Sequence, residues 1–255
     1  MSLVRFETRG PVGLVTLDRP PVNALSAELS TDLEEAFQRC DDPEIRAVVV
    51  TGEPHFAAGA DIKGFQAAHD SGEEEGLARR LVDAIWILER LRKPTIAAIH
   101  GFALGGGLEL ALGADFRYLA HDAQVGQPEI KLGLIPGAGG TQRLTRVVGF
   151  QRAKDMVFSG RFVDADEALA IGLADKIFQS DELLDKALDD AESYAGGPTV
   201  ALGAAKASIN DGFGTPMTDA LQIEAAAFDA CFWSEDAREG VAAFVEKRKA
   251  VFRGR

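Results

Sequence analysis

Cysteine is scarce in this chain. Cys40 and Cys231 are the only two in 255 residues, and they form no short paired spacing. That excludes a disulfide framework and a thiolate metal cluster, and it reads as a reduced, intracellular protein. Histidine is thin too: His55, His69, His100 and His121 stand singly, so no structural zinc and no other metal site is expected. Positive charge is in deficit, with 27 Lys and Arg against 40 Asp and Glu and a net charge of −13. A protein whose main task is to coat nucleic acid or anionic lipid needs the opposite balance. The short basic clusters, Arg79-Arg80, Arg90-Leu91-Arg92-Lys93 and Lys247-Arg248-Lys249, read as solvated helix faces.

Long clean apolar runs are missing as well. The nearest, 94–114, opens on Pro94 and contains His100, Glu109 and several glycines, so burial in a globular core explains it better than a membrane. The start, Met1-Ser2-Leu3-Val4-Arg5-Phe6-Glu7, puts charge where a secretory signal needs an apolar core, and a cytoplasmic protein is expected. Two nucleotide signatures are absent: no Gly-Lys-Ser/Thr closes a phosphate loop, and no Gly-x-Gly-x-x-Gly opens a Rossmann unit. Low-complexity sequence is absent too, although 70–76, with three consecutive glutamates, reads as an acidic loop or helix start that borders a substrate channel.

What is present is an alternation of apolar runs and amphipathic segments. Runs at 13–17, 47–51, 95–99 and 116–120 read as strands. Between them, Leu25, Leu29, Leu33 and Phe37 recur every four residues on one helical face, and Leu81, Ile85, Trp86 and Leu88 mark another before Pro94. Such alternation predicts an α/β core with mostly buried strands. The strands begin near 13, 47, 95 and 116, which is no fixed period, so a regular solenoid is excluded while a looser stack of strand and helix units stands. From about Asp181 the pattern turns helical, over 183–194, 200–209, 217–232 and 238–251, and Gly196-Gly197-Pro198 marks a boundary between a 1–195 core and a 196–255 tail. That tail carries Leu221, Phe228, Phe232, Trp233, Val241, Phe244, Val245 and Phe252, more apolar surface than a solvated appendage exposes; packing on the core or on another subunit is expected.

Chemistry concentrates in small-residue segments beside acids. Phe56-Ala57-Ala58-Gly59-Ala60-Asp61 follows one strand, and Gly105-Gly106-Gly107-Leu108-Glu109 follows another and opens a helix. Small residues let backbone N–H groups approach a ligand, and one N–H from Ala60 with one from Gly106 would make a cradle for an oxygen that becomes negative during reaction. Each segment reads equally as a compact structural turn when taken alone. Glu109 reads as a first-turn acid or as a buried proton-transfer group; Glu129, after Pro128, reads as a surface acid or as its partner. If the two share one pocket, burial and mutual repulsion raise at least one pKa toward neutrality and supply an acid and a base. Gly137-Ala138-Gly139-Gly140 is either an anion-binding helix start or a tight turn, Asp61 is a candidate cap, and Lys63 is either a phosphate partner or solvated.

Taken together, Phe56-Ala57-Ala58-Gly59-Ala60-Asp61-Ile62-Lys63, Ala103-Leu104-Gly105-Gly106-Gly107-Leu108-Glu109-Leu110, Gly126-Gln127-Pro128-Glu129 and Gly133-Leu134-Ile135-Pro136-Gly137-Ala138-Gly139-Gly140-Thr141-Gln142-Arg143-Leu144 closely resemble the enoyl-CoA hydratase (crotonase) family. The resemblance runs from Leu14 to Phe244-Val245-Glu246-Lys247-Arg248. It implies an α/β fold, a crotonase-like spiral of ββα units followed by C-terminal helices that drive assembly into a homotrimer or a hexamer built as a dimer of trimers. By motif matching it implies that Ala60 and Gly106 form the oxyanion hole and that Glu109 and Glu129 are the catalytic acids. It places Ala58, Ala60, Asp61, Ile62 and Lys63 along coenzyme A, with Phe228 and Lys247 of the tail, from the same or a neighbouring subunit.

The implied reaction is reversible syn addition of water to trans-2-enoyl-CoA, giving 3-hydroxyacyl-CoA in fatty-acid β-oxidation. Coenzyme A enters as part of the substrate, and no separate cofactor is expected. The chain departs from the family at Arg19-Pro20-Pro21-Val22-Asn23-Ala24, which lacks the basic residue many members place between that proline and asparagine; a coenzyme A phosphate contact is then either missing or supplied elsewhere, for example by Arg19. Δ3,Δ2-enoyl-CoA isomerisation is the second reading, and it needs only one acid, so the presence of both Glu109 and Glu129 favours hydration. Thioester hydrolysis, decarboxylation and dehalogenation on this scaffold replace one or both acids. A non-catalytic component of a β-oxidation complex, or an RNA binder, is the reading from outside enzymology; the intact acid pair opposes the first and the net charge the second.

Overall fold

Two interleaved sheets organise the chain. A computed structural model describes residues 2–62, 64, 66, 70 and 77–255. The larger sheet holds β1 (Val4–Arg9), β2 (Val12–Leu17), β3 (Ala47–Gly52), β5 (Thr95–Ile99), β7 (Phe116–Ala120) and β10 (Lys176–Phe178), in that order. The smaller holds β4 (Ala57–Ala58), β6 (Phe102–Leu104), β8 (Gln124–Gly126) and β9 (Phe162–Asp164), also in that order. Only the first pair of the larger sheet and the last pair of the smaller are antiparallel. All six residues of β3 are buried, as are all five of β5, which is why both read in sequence as unbroken apolar runs.

Each step from the larger sheet to the smaller is short, and a helix returns the chain to the next strand. Thus β3 and β4 are followed by α2 (Leu77–Arg90), β5 and β6 by α3 (Gly106–Leu112), and β7 and β8 by a 3-10 turn (Pro128–Leu132), α4 (Gly140–Val148) and α5 (Phe150–Ser159). This is the expected spiral of ββα units. The expected strands coincide with β2, β3, β5 and β7; β1, β10 and the two- or three-residue strands of the smaller sheet were too short or too polar on one face to read. The apolar stretch 94–114 is β5, β6 and α3, buried inside the domain.

The helix between β2 and β3 is α1 (Ala27–Arg39). Ser26 caps it by accepting from the Leu29 N–H, and Leu29, Leu33 and Phe37 turn inward at four-residue spacing. Leu25 falls outside the helix and forms a parallel bridge with Ala60, a tertiary role its period concealed. In α2, Leu81, Ile85 and Leu88 are buried, but Trp86 is half-exposed under the Arg90 guanidinium, because one residue past Ile85 is about 100° around the helix. Trp86 therefore does not belong to the inward face expected of it.

After β9 come α6 (Ala165–Ala170) and α7 (Leu183–Ala195); α7 buries Leu183, Ala187, Ala191 and Ala195. The chain then breaks at Gly196-Gly197-Pro198 and continues as α8 (Thr199–Gly212), α9 (Met217–Phe232) and α10 (Glu235–Glu246). The last helix stops at Glu246, short of the 251 expected, because Lys247 turns left-handed and closes it. Polar ties fasten α8 to the core: Arg46 donates to Gly197 O at 2.6 Å and Thr199 Oγ1 at 2.8 Å, and partly buried Lys206 pairs with Asp115 at 2.9 Å. Beyond α8 little is buried: α10 covers Asp236 and Ala243. Not one residue of α9 is buried, and Leu221, Phe228, Phe232, Trp233, Phe244 and Val245 face outward. No helix among the described residues is long and apolar enough to cross a membrane.

Candidate active site

The two small-residue segments meet because β4 and β6 are parallel neighbours, with Ala58 opposite Leu104. Parallel strands leave the sheet at the same edge, so the residues just past each, Gly59-Ala60 and Gly105-Gly106, emerge side by side. A Cβ placed on Gly105 would lie 3.8 Å from the Gly59 Cα. The approach is close elsewhere too: a Cβ on Gly107 would fall 2.1 Å from Ala57 O, so only glycine fits there.

Backbone pairing then sets where the Ala60 N–H points. Leu25 N donates to Gly59 O and Asp61 N donates to Leu25 O, both at 2.9 Å. In a parallel bridge the residue between those two partners directs its own N–H to the other side. Gly59, at φ +92°, turns the chain so that this alternation starts after Ala58, whose N–H goes to Val22 O at 3.0 Å. The Gly106 N–H is the first of α3 and has no partner within the helix. Two donors unclaimed among the described residues thus stand on neighbouring strand exits.

Buried Asn23 holds the loop leading to this edge. Its side-chain nitrogen donates to His55 O at 2.7 Å and, at 3.3 Å each, to Leu17, Glu53 and Phe56 O. Arg19 belongs to the same tie: it pairs with Asp61 at 2.6 Å and donates to Ala24 O at 2.6 Å. Both the candidate phosphate contact and the Asp61 carboxylate are thus engaged with each other. Ala58 and Ala60 line the strand exit, Ile62 is exposed, and Lys63 lies outside the described residues, as does 71–76 of the acidic stretch.

Glu109 sits in the first turn of α3, 3% exposed. One carboxylate oxygen accepts from the N–H groups of Ala138 and Gly140, each at 2.7 Å. The turn Gly137-Ala138-Gly139-Gly140 is therefore a cradle for this side chain, which resolves the choice between anion site and plain turn: the anion is the chain's own glutamate. Burial raises the Glu109 pKa, and the two N–H donors and the Arg143 charge hold it down. Glu129, in the 3-10 turn, packs its Oε1 where a Gly105 Cβ would stand, at 2.8 Å. Burial, with the Glu109 charge adding to it, pushes its pKa up to about 7.

A third side chain joins the pair, and sequence reasoning missed it. Gln127 is fully buried, and in the amide orientation that its neighbours require it donates to both Glu129 oxygens, at 2.9 and 3.1 Å. A Cβ on Gly140 would sit 2.7 Å from the Gln127 amide and 3.0 Å from Glu109 Oε1, so Gln127 and Glu109 line one small space. The signal was present as a polar residue two positions before Glu129, but nothing in a sequence distinguishes a buried glutamine from a solvated one. Of the expected tail residues, Phe228 is exposed on α9 beside Phe232, and Lys247 is exposed at the end of α10; α9 packs chiefly on α8 and α10.

A carboxyl group that titrates near neutrality beside a second, hydrogen-bonded carboxylate, next to two aligned N–H donors, suits proton transfer on a carbonyl compound. Known proteins match the chain as a whole. The family model for enoyl-CoA hydratase/isomerase matches residues 7–255. A probable enoyl-CoA hydratase of Rhizobium meliloti is 44% identical over 252 residues, 98% of this chain and 97% of the relative. The short-chain-enoyl-CoA hydratase of Clostridium acetobutylicum is 40% identical over 254 residues, 98% of this chain and 97% of its own. The crystal structure of an enoyl-CoA hydratase from Bacillus anthracis superimposes with a TM-score of 0.91 at 34% identity, covering 99% of this chain and 100% of the other. With its motifs in order, its ββα spiral and a match along nearly its whole length, this chain belongs to the enoyl-CoA hydratase/isomerase family.

Proposed function

We propose that this protein is an enoyl-CoA hydratase that adds water to trans-2-enoyl-CoA, with Glu109 and Glu129 as its two catalytic acids. The observation that carries the reading is their unlike settings around one space. Burial raises both, but at Glu109 two N–H donors and a nearby guanidinium oppose it and favour the ionised form, whereas Glu129 is pushed up to about 7, where it holds a proton to give. Glu109 takes a proton from water as it attacks the β-carbon, and Glu129 delivers one to the α-carbon. The Ala60 and Gly106 N–H groups hold the thioester oxygen as it gains enolate-like charge; losing one such donor costs roughly 3 to 4 kcal/mol of transition-state stabilisation. Isomerisation needs one acid where this site has two, so it ranks second.

Ala58, Asp61, Ile62 and Lys63 lie along the coenzyme A moiety in this reading. The exposed apolar face of 196–255 packs on a second copy, in a trimer or a dimer of trimers, which also brings Phe228 and Lys247 to a neighbour's ligand. The protein works in the cytoplasm with no cofactor beyond the substrate's own coenzyme A. Loss of the conjugated enoyl-thioester absorbance of crotonyl-CoA, with the product identified by mass, tests the reaction. Wild type adds one water; Glu109→Gln and Glu129→Gln each lose about 100-fold or more in kcat while folded. Untouched short and long trans-2-enoyl-CoA would sink hydration. Phe228→Ala and Lys247→Ala raise KM and leave kcat in place, and an unchanged KM in both removes them from the ligand site.

A further inference from the structure

Behind the cradle that holds Glu109 stands an ion pair, of which only the Arg143 charge has entered the chemistry above. Arg143 lies in the first turn of α4, one turn after the cradle glycines. Its Nη1 donates to Ala138 O at 3.0 Å, and its own N–H donates to Gly139 O at 2.8 Å. Ala138 is therefore held at both polar atoms, its N–H by Glu109 and its C=O by Arg143. Gly139, at φ +103°, makes room: a Cβ there would lie 2.1 Å from Arg143 Nη1, so the guanidinium rests directly on the cradle. On its far side Arg143 meets Glu89, at the end of α2, with Nη2 to Oε2 at 2.7 Å and Nε to Oε1 at 3.4 Å. This two-pronged pair is mostly buried, at 14% and 28% exposure.

We propose that Arg143 is a positioning residue for Glu109, fixing the cradle and supplying its standing positive charge, and that Glu89 sets how much of that charge Glu109 feels. The proposal rests on the reading of Glu109 as the general base. A guanidinium stays protonated throughout the working range, so its field is constant where a lysine's would depend on pH. The other groups around Glu109 leave it this role. Among the described residues, Glu129, from the 3-10 turn, is the second ionisable side chain there and opposes ionisation; Gln127 is neutral; β4 and β6 carry no ionisable residue; and Glu109 is the only one on α3. Arg143 and Glu89 thus act on Glu109 with opposite sign, Arg143 from the cradle itself and Glu89 from behind it.

The test reads Glu109 directly by carbon-13 NMR of its labelled carboxyl group, assigned by its loss in Glu109→Gln, alongside the pH profile of kcat/KM with crotonyl-CoA. Arg143→Gln is expected to move the Glu109 titration up by about one pH unit, with the acidic limb of kcat/KM following and KM within twofold of wild type. Arg143→Lys keeps the midpoint near wild type but lowers kcat, because an ammonium cannot grip Ala138 O and Glu89 together. Glu89→Gln moves the titration down. Glu89→Gln and Arg143→Gln moving it in the same direction, or neither moving it, would overturn the proposal; if Arg143→Gln does not fold, an unmoved or raised midpoint in Glu89→Gln does so alone. A carboxyl titration that moves as expected while the kcat/KM limb stays still supports the pair's action on Glu109 and refutes Glu109 as the base.

Discussion

Adding one methyl group at Gly105 separates catalysis from stability at this site. A Cβ there lies 2.8 Å from Glu129 Oε1, and ordinary contact begins at 3.4 Å, so the carboxylate has to retreat by about 0.6 Å. The carboxylate is the far end of a flexible side chain, so the retreat itself costs little stability. The backbone is less forgiving: Gly105 has φ +53° and ψ −124°, which a residue with a Cβ holds only at about 1–3 kcal/mol. In a chain of this size that lowers Tm by roughly 2–12 °C. Catalysis suffers more, since misplacing a reacting group by about 1 Å costs around 100-fold. Gly105→Ala should therefore fold, lose about 10- to 30-fold in kcat on crotonyl-CoA, and melt only modestly earlier. The same substitution in a Glu129→Gln background should cost much less than in wild type, because the displaced acid is already gone. An undiminished kcat in Gly105→Ala, or an equal penalty in both backgrounds, would refute Glu129 as the group whose position matters.

Acidity and core polarity give further expectations. The folded-state pKa of Glu129 is raised from its ordinary 4.5 to about 7, so folding takes up a proton, and the stability linked to this group is full below 4.5 and lost as pH rises through 7. Thermal melts at successive pH values should show Glu129→Gln gaining on wild type between pH 5 and 7.5, whereas parallel curves would deny the shift. For activity, kcat/KM falls above about 7 as Glu129 gives up its proton and falls at low pH as Glu109 is protonated, a bell whose alkaline limb Glu129→Gln removes. Far from the site, Lys93 is buried and donates to the carbonyls of Cys40, Asp42 and Ile45 at 2.7, 3.0 and 2.7 Å. Lys93→Met strands these acceptors and should cost roughly 3 kcal/mol in denaturant unfolding while sparing the KM of the folded enzyme; a loss under about 0.5 kcal/mol, ordinary for an exposed position, would contradict the buried role.

Local pattern determined much of this protein from the sequence alone. The apolar runs at 47–51 and 95–99 became strands because a strand covered on both faces has no other way to be written. The glycine segments and their acids could be picked out because small residues and a carboxylate in apolar surroundings are unusual at short range. Even the wrong detail at Trp86 was local, a face misjudged by one helical step. What tertiary structure alone decided is who meets whom across long separations. Parallel pairing of β4 with β6 put Ala60 beside Gly106, and folding 138–140 back over α3 made two N–H groups into the partners of Glu109, 29 and 31 residues away. Arg19 closed on Asp61 instead of standing open, and Gln127, Arg143 and Glu89 acquired their roles only through burial and contact. Charge and hydrogen bonding act through space, so a pKa such as that of Glu129 is a property of the packed site, and no single residue type carries it.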